Sequence, residues 1–232
     1  MNYKKIIITS VIVAIVSSIG IFAQDKNETP IALLKKAIKD VSYKQIDAAD
    51  WATAKTGTPF NSGEQVKTGF KSLALVLFTD GTGLLRIREN SIMHIYGDRD
   101  GKNLNKNTFI EKGLIGFDIN KQDAEEFKFT TPTAVAAIRG TAGYVEVGSD
   151  SSTTIVCDHG KIEVQSLVGD KRTLVVEGGK ALSIRPDGEI LEGDISPTEG
   201  SKFSNSKKTK ARKISIETEE GIIELEFYPE EK

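Results

Sequence analysis

The stretch Phe127–Val147, FKFTTPTAVAAIRGTAGYVEV, constrains the fold more than any other part of the chain. Phe127 and Phe129 alternate with Lys128 and Thr130, the period of a strand with one buried face. Pro132 lacks a backbone donor and so marks a corner, not the interior of a sheet. The small-residue run Thr133–Ile138 follows, and Arg139-Gly140-Thr141 makes a second tight corner. Val145 and Val147 then alternate with Tyr144 and Glu146 in another strand. The order is strand, Pro corner, strand, Arg-Gly-Thr corner, strand.

Short strands recur on both sides of this stretch. Leu73, Leu75 and Leu77 alternate with Ala74, Val76 and Phe78, so this strand is apolar on both faces and central. Asp80-Gly81 punctuates it, and Leu85 and Ile87 against Arg86 and Arg88 give a strand with one buried face. Ser91–Tyr96 reads as a strand, Asp98–Asn107 as a polar loop, and Thr108–Ile110 and Leu114–Ile119 as strands. Further on, Ile155–Cys157, Ile162–Val164, Leu174–Val176, Ala181–Ile184 and Glu189–Leu191 are separated by Gly or Asp-Gly turns. Strands spaced by about ten residues with such turns argue a single all-β domain. A sandwich or a roll with β-solenoid character fits, and the lack of a helical period argues against a βαβ arrangement.

The two ends read differently. Lys4 and Lys5, the apolar run Ile6–Phe22, and Ala23 before a polar stretch form a secretory signal over residues 1–23. The expectation is an extracytoplasmic protein, periplasmic or secreted; the rival reading is an uncleaved anchor, the one route to membrane contact. Residues 24–42 predict one short N-terminal helix: Thr29 caps, Pro30 suits the first position, and Ile31, Leu34, Ile38 and Val41 recur at helical spacing. The β domain spans 43–195. Residues 196–213 read as a basic linker, rich in Ser, Asn and Lys. Residues 214–232 read as a C-terminal hairpin, with Ile214 and Ile216 facing Ile223, Leu225 and Phe227 on one apolar side.

No constellation of catalytic residues emerges. His94 and His159 lack the partner spacing of a zinc site, and Asp98-Arg99-Asp100-Gly101 lacks the later ligand positions of a calcium loop. Cys157 is the only cysteine, so no internal disulfide forms. It reads as a buried small residue; a hydrolase using it as nucleophile, beside Asp158 and His159, is the enzymatic alternative. A net charge of −2 gives no support for nucleic acid as a partner. No cofactor is expected. Arg139 stands out, because five fixed donors suit it to pin its corner; on that reading Arg139→Ala destabilises the domain.

The motifs together resemble the FecR domain family over roughly Tyr43–Ile184. The resemblance rests on Thr131-Pro132 leading to Ile138-Arg139-Gly140-Thr141 and on Gly63-Glu64-Gln65-Val66-Lys67-Thr68-Gly69. It rests also on Trp51, Phe78-Thr79-Asp80-Gly81-Thr82 and Glu89-Asn90-Ser91. It implies a non-enzymatic envelope module that binds or senses a protein, with Thr131, Pro132, Arg139, Gly140, Thr141, Asp80 and Gly81 as structural or partner-binding motif residues. The founding role in that family, a regulator that reads an iron-siderophore receptor and controls a sigma factor, implies the alternative: a periplasmic sensory component of such a pathway. Only Met1–Lys5 precede the apolar run, so the expected module lacks the cytoplasmic sigma-factor arm.

Overall fold

A computed structural model describes residues 29–101, 103–121, 127–208, 212–218 and 221–227, the last two segments as backbone. Among these residues the strands are β1 (Ala32–Ile38), β2 (Val41–Lys44), β3 (Ala52–Thr53), β4 (Pro59–Phe60), β5 (Glu64–Thr68), β6 (Leu73–Phe78) and β7 (Gly83–Ile87). They continue as β8 (Ile92–Ile95), β9 (Gly97–Asp100), β10 (Asn103–Ile119), β11 (Phe127–Thr130), β12 (Ala134–Ile138), β13 (Ala142–Val147) and β14 (Thr153–His159). Then come β15 (Lys161–Ser166), β16 (Thr173–Glu177), β17 (Lys180–Ile184) and β18 (Ile190–Asp194), the helix α1 (Pro197–Lys207), and the hairpin β19 (Arg212–Thr218) and β20 (Gly221–Phe227).

β1 to β18 form one continuous sheet that curls into two layers. The hinge is β10. Its first part pairs with β8, β9 and β11, and its second part with β7 and β13. A bulge between Ile110 and Lys112 and Gly113 at φ +98° bend it from one layer into the other. Gly113 is obligatory in space as well, since a Cβ there would sit 2.1 Å from the Ser91 hydroxyl. One layer runs β4-β1-β6-β7-β10-β13-β14-β17-β18; the other runs β3-β2-β5-β8-β10-β11-β12-β15-β16. Only β10–β11 is parallel among these pairs.

The layers meet through alternating inward side chains. Phe78 of one layer stands edge-on to Phe127 of the other at 5.3 Å, and Phe117 lies 5.4 Å from Phe129. The strand read as central, β6, is flanked by β1 and β7 and buries residues on both faces.

Three local expectations are corrected. The N-terminal helix is instead β1 and β2, joined by a corner at Lys39, φ +58°. A bulge between Leu34 and Lys36 sends Leu34 into the core with Val76 and Ile38 to the opposite face beside Leu73. Spacing that looked like one helical stripe therefore serves two faces of a strand, and long-range pairing with β6 overrode the local pattern. The polar loop Asp98–Asn107 is a hairpin of β9 against the start of β10, with Asn103 opposite Asp100 and Lys106 opposite Gly97. The basic linker contains α1, started by Pro197 and a reciprocal cap: the Ser196 N–H donates to Glu199 Oε2 at 2.7 Å, and the Glu199 N–H to Ser196 Oγ. Its polar composition hid this start; one apolar anchor, Phe203, seats it on Tyr144, Val156 and Ala181.

The C-terminal hairpin forms in register from Arg212 opposite Phe227 to Thr218 opposite Gly221. The proposed leader, residues 1–23, lies outside the described residues. No helix among the described residues is long and apolar enough to cross a membrane.

Candidate functional site

β12 runs between the two corners of the signature stretch, and its ends are built by different means. At the Pro132 end a chain of buried hydroxyls closes the corner. Thr131 donates its N–H to the Ala134 carbonyl at 2.8 Å, and the Ala134 N–H donates back to Thr131 Oγ1 at 2.9 Å. Thr153 Oγ1 donates to Thr131 Oγ1 at 2.8 Å, and Thr133 Oγ1 to Thr153 Oγ1 at 2.6 Å. All three threonines are buried, so these hydroxyls tie β12 of one layer to β14 of the other in a dry interior. Pro132 itself is exposed at the tip.

At the other end β12 crosses to the second layer through Arg139-Gly140-Thr141. Two more crossings lie beside it, β14 to β15 at Gly160 and β16 to β17 at Gly178-Gly179. The three corners stack. The Gly178 N–H donates to the Gly160 carbonyl at 2.9 Å, and a Cβ on Gly160 would lie 2.5 Å from a Thr141 methyl. Gly140 has φ +70°, and a Cβ there would lie 2.9 Å from the Lys121 Cα. Close backbone approach at Gly140, Gly160 and Gly178 makes this end a ridge that larger residues could not form.

The Asp80-Gly81 turn joins the same end, although it lies far from Arg139 in sequence. Asn120 is the link: its N–H donates to the Thr82 carbonyl at 2.9 Å, while the neighbouring Ile119 N–H donates to the Thr141 carbonyl at 3.0 Å. The structure thus brings Asp80, Gly81, Arg139, Gly140 and Thr141 to one end of the domain and leaves Thr131 and Pro132 at the other.

Arg139 does not pin its corner. Its side chain is exposed, and no hydrogen bond or ion pair joins it to another described residue. The turn is made by Gly140 and held by the Thr141 carbonyl, and the guanidinium is left exposed. Lys121 shares this rim, and His159 stands beside Asp158 on the neighbouring crossing.

The pinning group is one that composition concealed. Lys106 is fully buried, and its Nζ lies 2.5 Å from Asp80 Oδ2. Asp80 Oδ1 also accepts from the Thr82 N–H at 3.1 Å and Thr82 Oγ1 at 2.8 Å. Burial by itself would raise the Asp80 pKa; the donors from Lys106 and Thr82 outweigh it and hold the carboxyl below its ordinary value. The sequence did carry a signal. Leu104, Lys106, Thr108 and Ile110 share one parity along β10, and all are buried.

The remaining candidates carry no assembled chemistry. Cys157 is fully buried, and burial, with Asp158, pushes its thiol up to about 11. The thiolate needed for nucleophilic attack is thereby disfavoured. His94 pairs with Glu111 at 3.4 Å on the outer face of its layer, and the described residues contain no cluster of His, Cys, Asp or Glu fit to hold a metal. A groove of about 390 Å³ runs between the edges of β16 and β18, lined by Val175, Glu177, Lys180 and Glu192. Its flanking charges are spent on one another, Lys180 on Asp194 at 2.6 Å and Glu177 on Lys161 at 2.9 Å.

These features define a class: a two-layer β domain with a glycine ridge of crossing corners at one end and a hydroxyl-sealed corner at the other. Residues 64–163, which run from β5 into β15 and include both corners, match the family model described as FecR protein. Over those residues the chain is similar to the FecR family. Two crystal structures of a proposed anti-sigma factor from Parabacteroides distasonis ATCC 8503, at 1.65 and 2.50 Å resolution, are similar in fold, with TM-scores of 0.52 and 0.51. Each is 15% identical and covers 60% of this chain, and the match spans 64% and 63% of their own lengths. This chain therefore matches less than two thirds of that protein. No curated protein sequence matches it.

Proposed function

We propose that this chain is a non-enzymatic, extracytoplasmic protein-binding module of the FecR type, the sensing part of a receptor-coupled sigma-factor pathway. It meets its protein partner at the crossing-corner end. The observation that carries this reading is Arg139. The signature residue of the corner is exposed and unpaired among the described residues, beside a glycine whose backbone is closely packed. A long cation fixed at its base but unspent on its own fold suits recognition of a carboxylate or carbonyl on another protein. The leader-like residues 1–23 support the location, and the name given to the Parabacteroides neighbours supports the signalling setting. The buried thiol of Cys157 works against the enzymatic alternative.

The test is capture in the native envelope. The full chain with a C-terminal tag is crosslinked and its partners are identified by mass spectrometry, beside an Arg139→Ala variant. The reading expects an envelope protein that Arg139→Ala captures several-fold less well while melting at the wild-type temperature. Capture of the chain alone, or equal capture by both forms, overturns it.

A further inference from the structure

The layer that carries α1 has an outer face in two halves. The helix covers one half, where Phe203 seats on Tyr144 and Val156 and the Ser206 hydroxyl lies against Gly116. Over β1, β6 and β7 no described element lies, yet the middle of the outward face, at Leu73 and Leu75, is nearly sealed from water, while Leu33 at its rim is 38% exposed. Leu73 and Leu75 alternate with the core residues Ala74, Val76 and Phe78 and so point outward, but they are only 4% and 6% exposed. Ile38 and Leu84 pack with them, and Leu33 and Leu77 extend the face through the pairings Leu33–Leu77 and Leu77–Leu84. At the border with the helix, Arg86 is 12% exposed and its Nε is buried without a partner among the described residues.

The chain delivers a cover to this place. α1 ends at the border, where Arg88 Nη1, just after β7, donates to the Lys208 carbonyl at 3.2 Å. Residues 209–211 then separate Lys208 from β19, a reach of at most about 14 Å when extended. The hairpin forms a two-stranded sheet of its own among the described residues, so it does not lengthen either layer by edge pairing. A lone hairpin of this size is marginal in water and needs a surface to pack on. Register places Ile214 opposite Leu225 and Ile216 opposite Ile223 on one face, and Lys213 opposite Glu226 and Ser215 opposite Glu224 on the other. The hairpin is acid-rich, with Glu217, Glu219, Glu220, Glu224 and Glu226, and the sheet border carries Lys36, Arg88 and Arg86, the last 3.7 Å from Asp118.

We propose that the β19–β20 hairpin is a strap whose apolar face packs on the leucine face of β1, β6 and β7. The chain's own C-terminus thus occupies a hydrophobic docking surface, and a protein partner reaches that surface only when the strap lifts. Three features converge on this occupant: the sealed outward leucines, the short tether from the same border, and the opposite charges.

A disulfide trap tests the strap in the full chain carrying Cys157→Ala. Leu75→Cys with Ile216→Cys is expected to oxidise within one chain, whereas Val135→Cys with Ile216→Cys, which places one thiol on the outer face of the other layer, is not. In a second arm, Ile216→Asp in the otherwise wild-type chain is expected to raise the fluorescence of a bound hydrophobic dye several-fold while circular dichroism keeps the sheet signal. Equal oxidation of both cysteine pairs, or dye binding unchanged by Ile216→Asp, overturns the proposal. A disulfide formed only between two molecules assigns the face to a second copy and overturns it as well. Loss of the seal on deleting residues 1–28, with Ile216→Asp silent, assigns it to the N-terminal segment.

Discussion

The two ends of β12 belong to one sequence signature and do different work. At the Pro132 end Thr131, Thr133 and Thr153 are buried and use their hydroxyls on one another and on backbone. At the Arg139 end the backbone makes the corner, because Gly140 supplies the left-handed turn, and the buried Thr141 hydroxyl takes no partner among the described residues. That frees Arg139. A corner sealed by side chains has nothing left for a partner, whereas a corner sealed by glycine backbone can hold a charged residue outward.

This contrast breaks most visibly at the buried ion pair behind the Arg139 end. Lys106→Ala leaves Asp80 buried beside an empty site, and losing one partner of such a pair costs about 3–5 kcal/mol. The expected outcome is a large drop in urea midpoint with an unaltered m value. The same pair has a pH signature. The Asp80 pKa is lowered on folding, so its stabilisation is present above the ordinary carboxylate value and is lost as pH falls through its own lower one. Thermal melts should fall steeply below about pH 4, and less steeply in Asp80→Asn, whose side chain no longer titrates.

The two corners come next. Thr131→Val keeps the shape but leaves the Ala134 N–H and the Thr153 hydroxyl without their acceptor in a buried site, a cost of about 1–3 kcal/mol. Gly140→Ala forces a side chain into the left-handed region for about 1–2 kcal/mol, before its contact with the Lys121 backbone is counted. Equilibrium unfolding should rank Lys106→Ala as the most damaging of the three. Arg139→Ala sits at the bottom of the series, within about 0.5 kcal/mol of wild type, as expected of an exposed residue without partners. A melting loss for Arg139→Ala comparable to that for Thr131→Val would erase the distinction between the corners.

The strands were legible wherever a period of two ran between turn residues. Phe127–Thr130, Leu73–Phe78 and the hairpin from Arg212 to Phe227 all form where the alternation places them. The misreadings have a common physical origin. Leu34 and Ile38 suggested one helical stripe because a bulge changes the parity of β1 between them. Lys106 was hidden because a charged residue seldom occupies a core position unless a distant partner, here Asp80, is there to meet it. Ser196, Pro197 and Glu199 start and cap α1 in the structure, but the polar run beyond them has no apolar stripe, so 196–213 read as a linker.

By itself the sequence determined the class: an all-β domain, the two corners of the signature and the residues that bend them. Local sterics decide those features, since Pro removes a donor and Gly alone turns through a positive φ without strain. Only the tertiary structure decided which of these residues meet. The joining of Asp80 to Lys106, and of the Asp80 turn to the Arg139 end, depends on how β10 bends between layers. So does the freedom of Arg139. Gly113 permits that bend locally, but which strands it brings together follows from closing one curled sheet over a shared core.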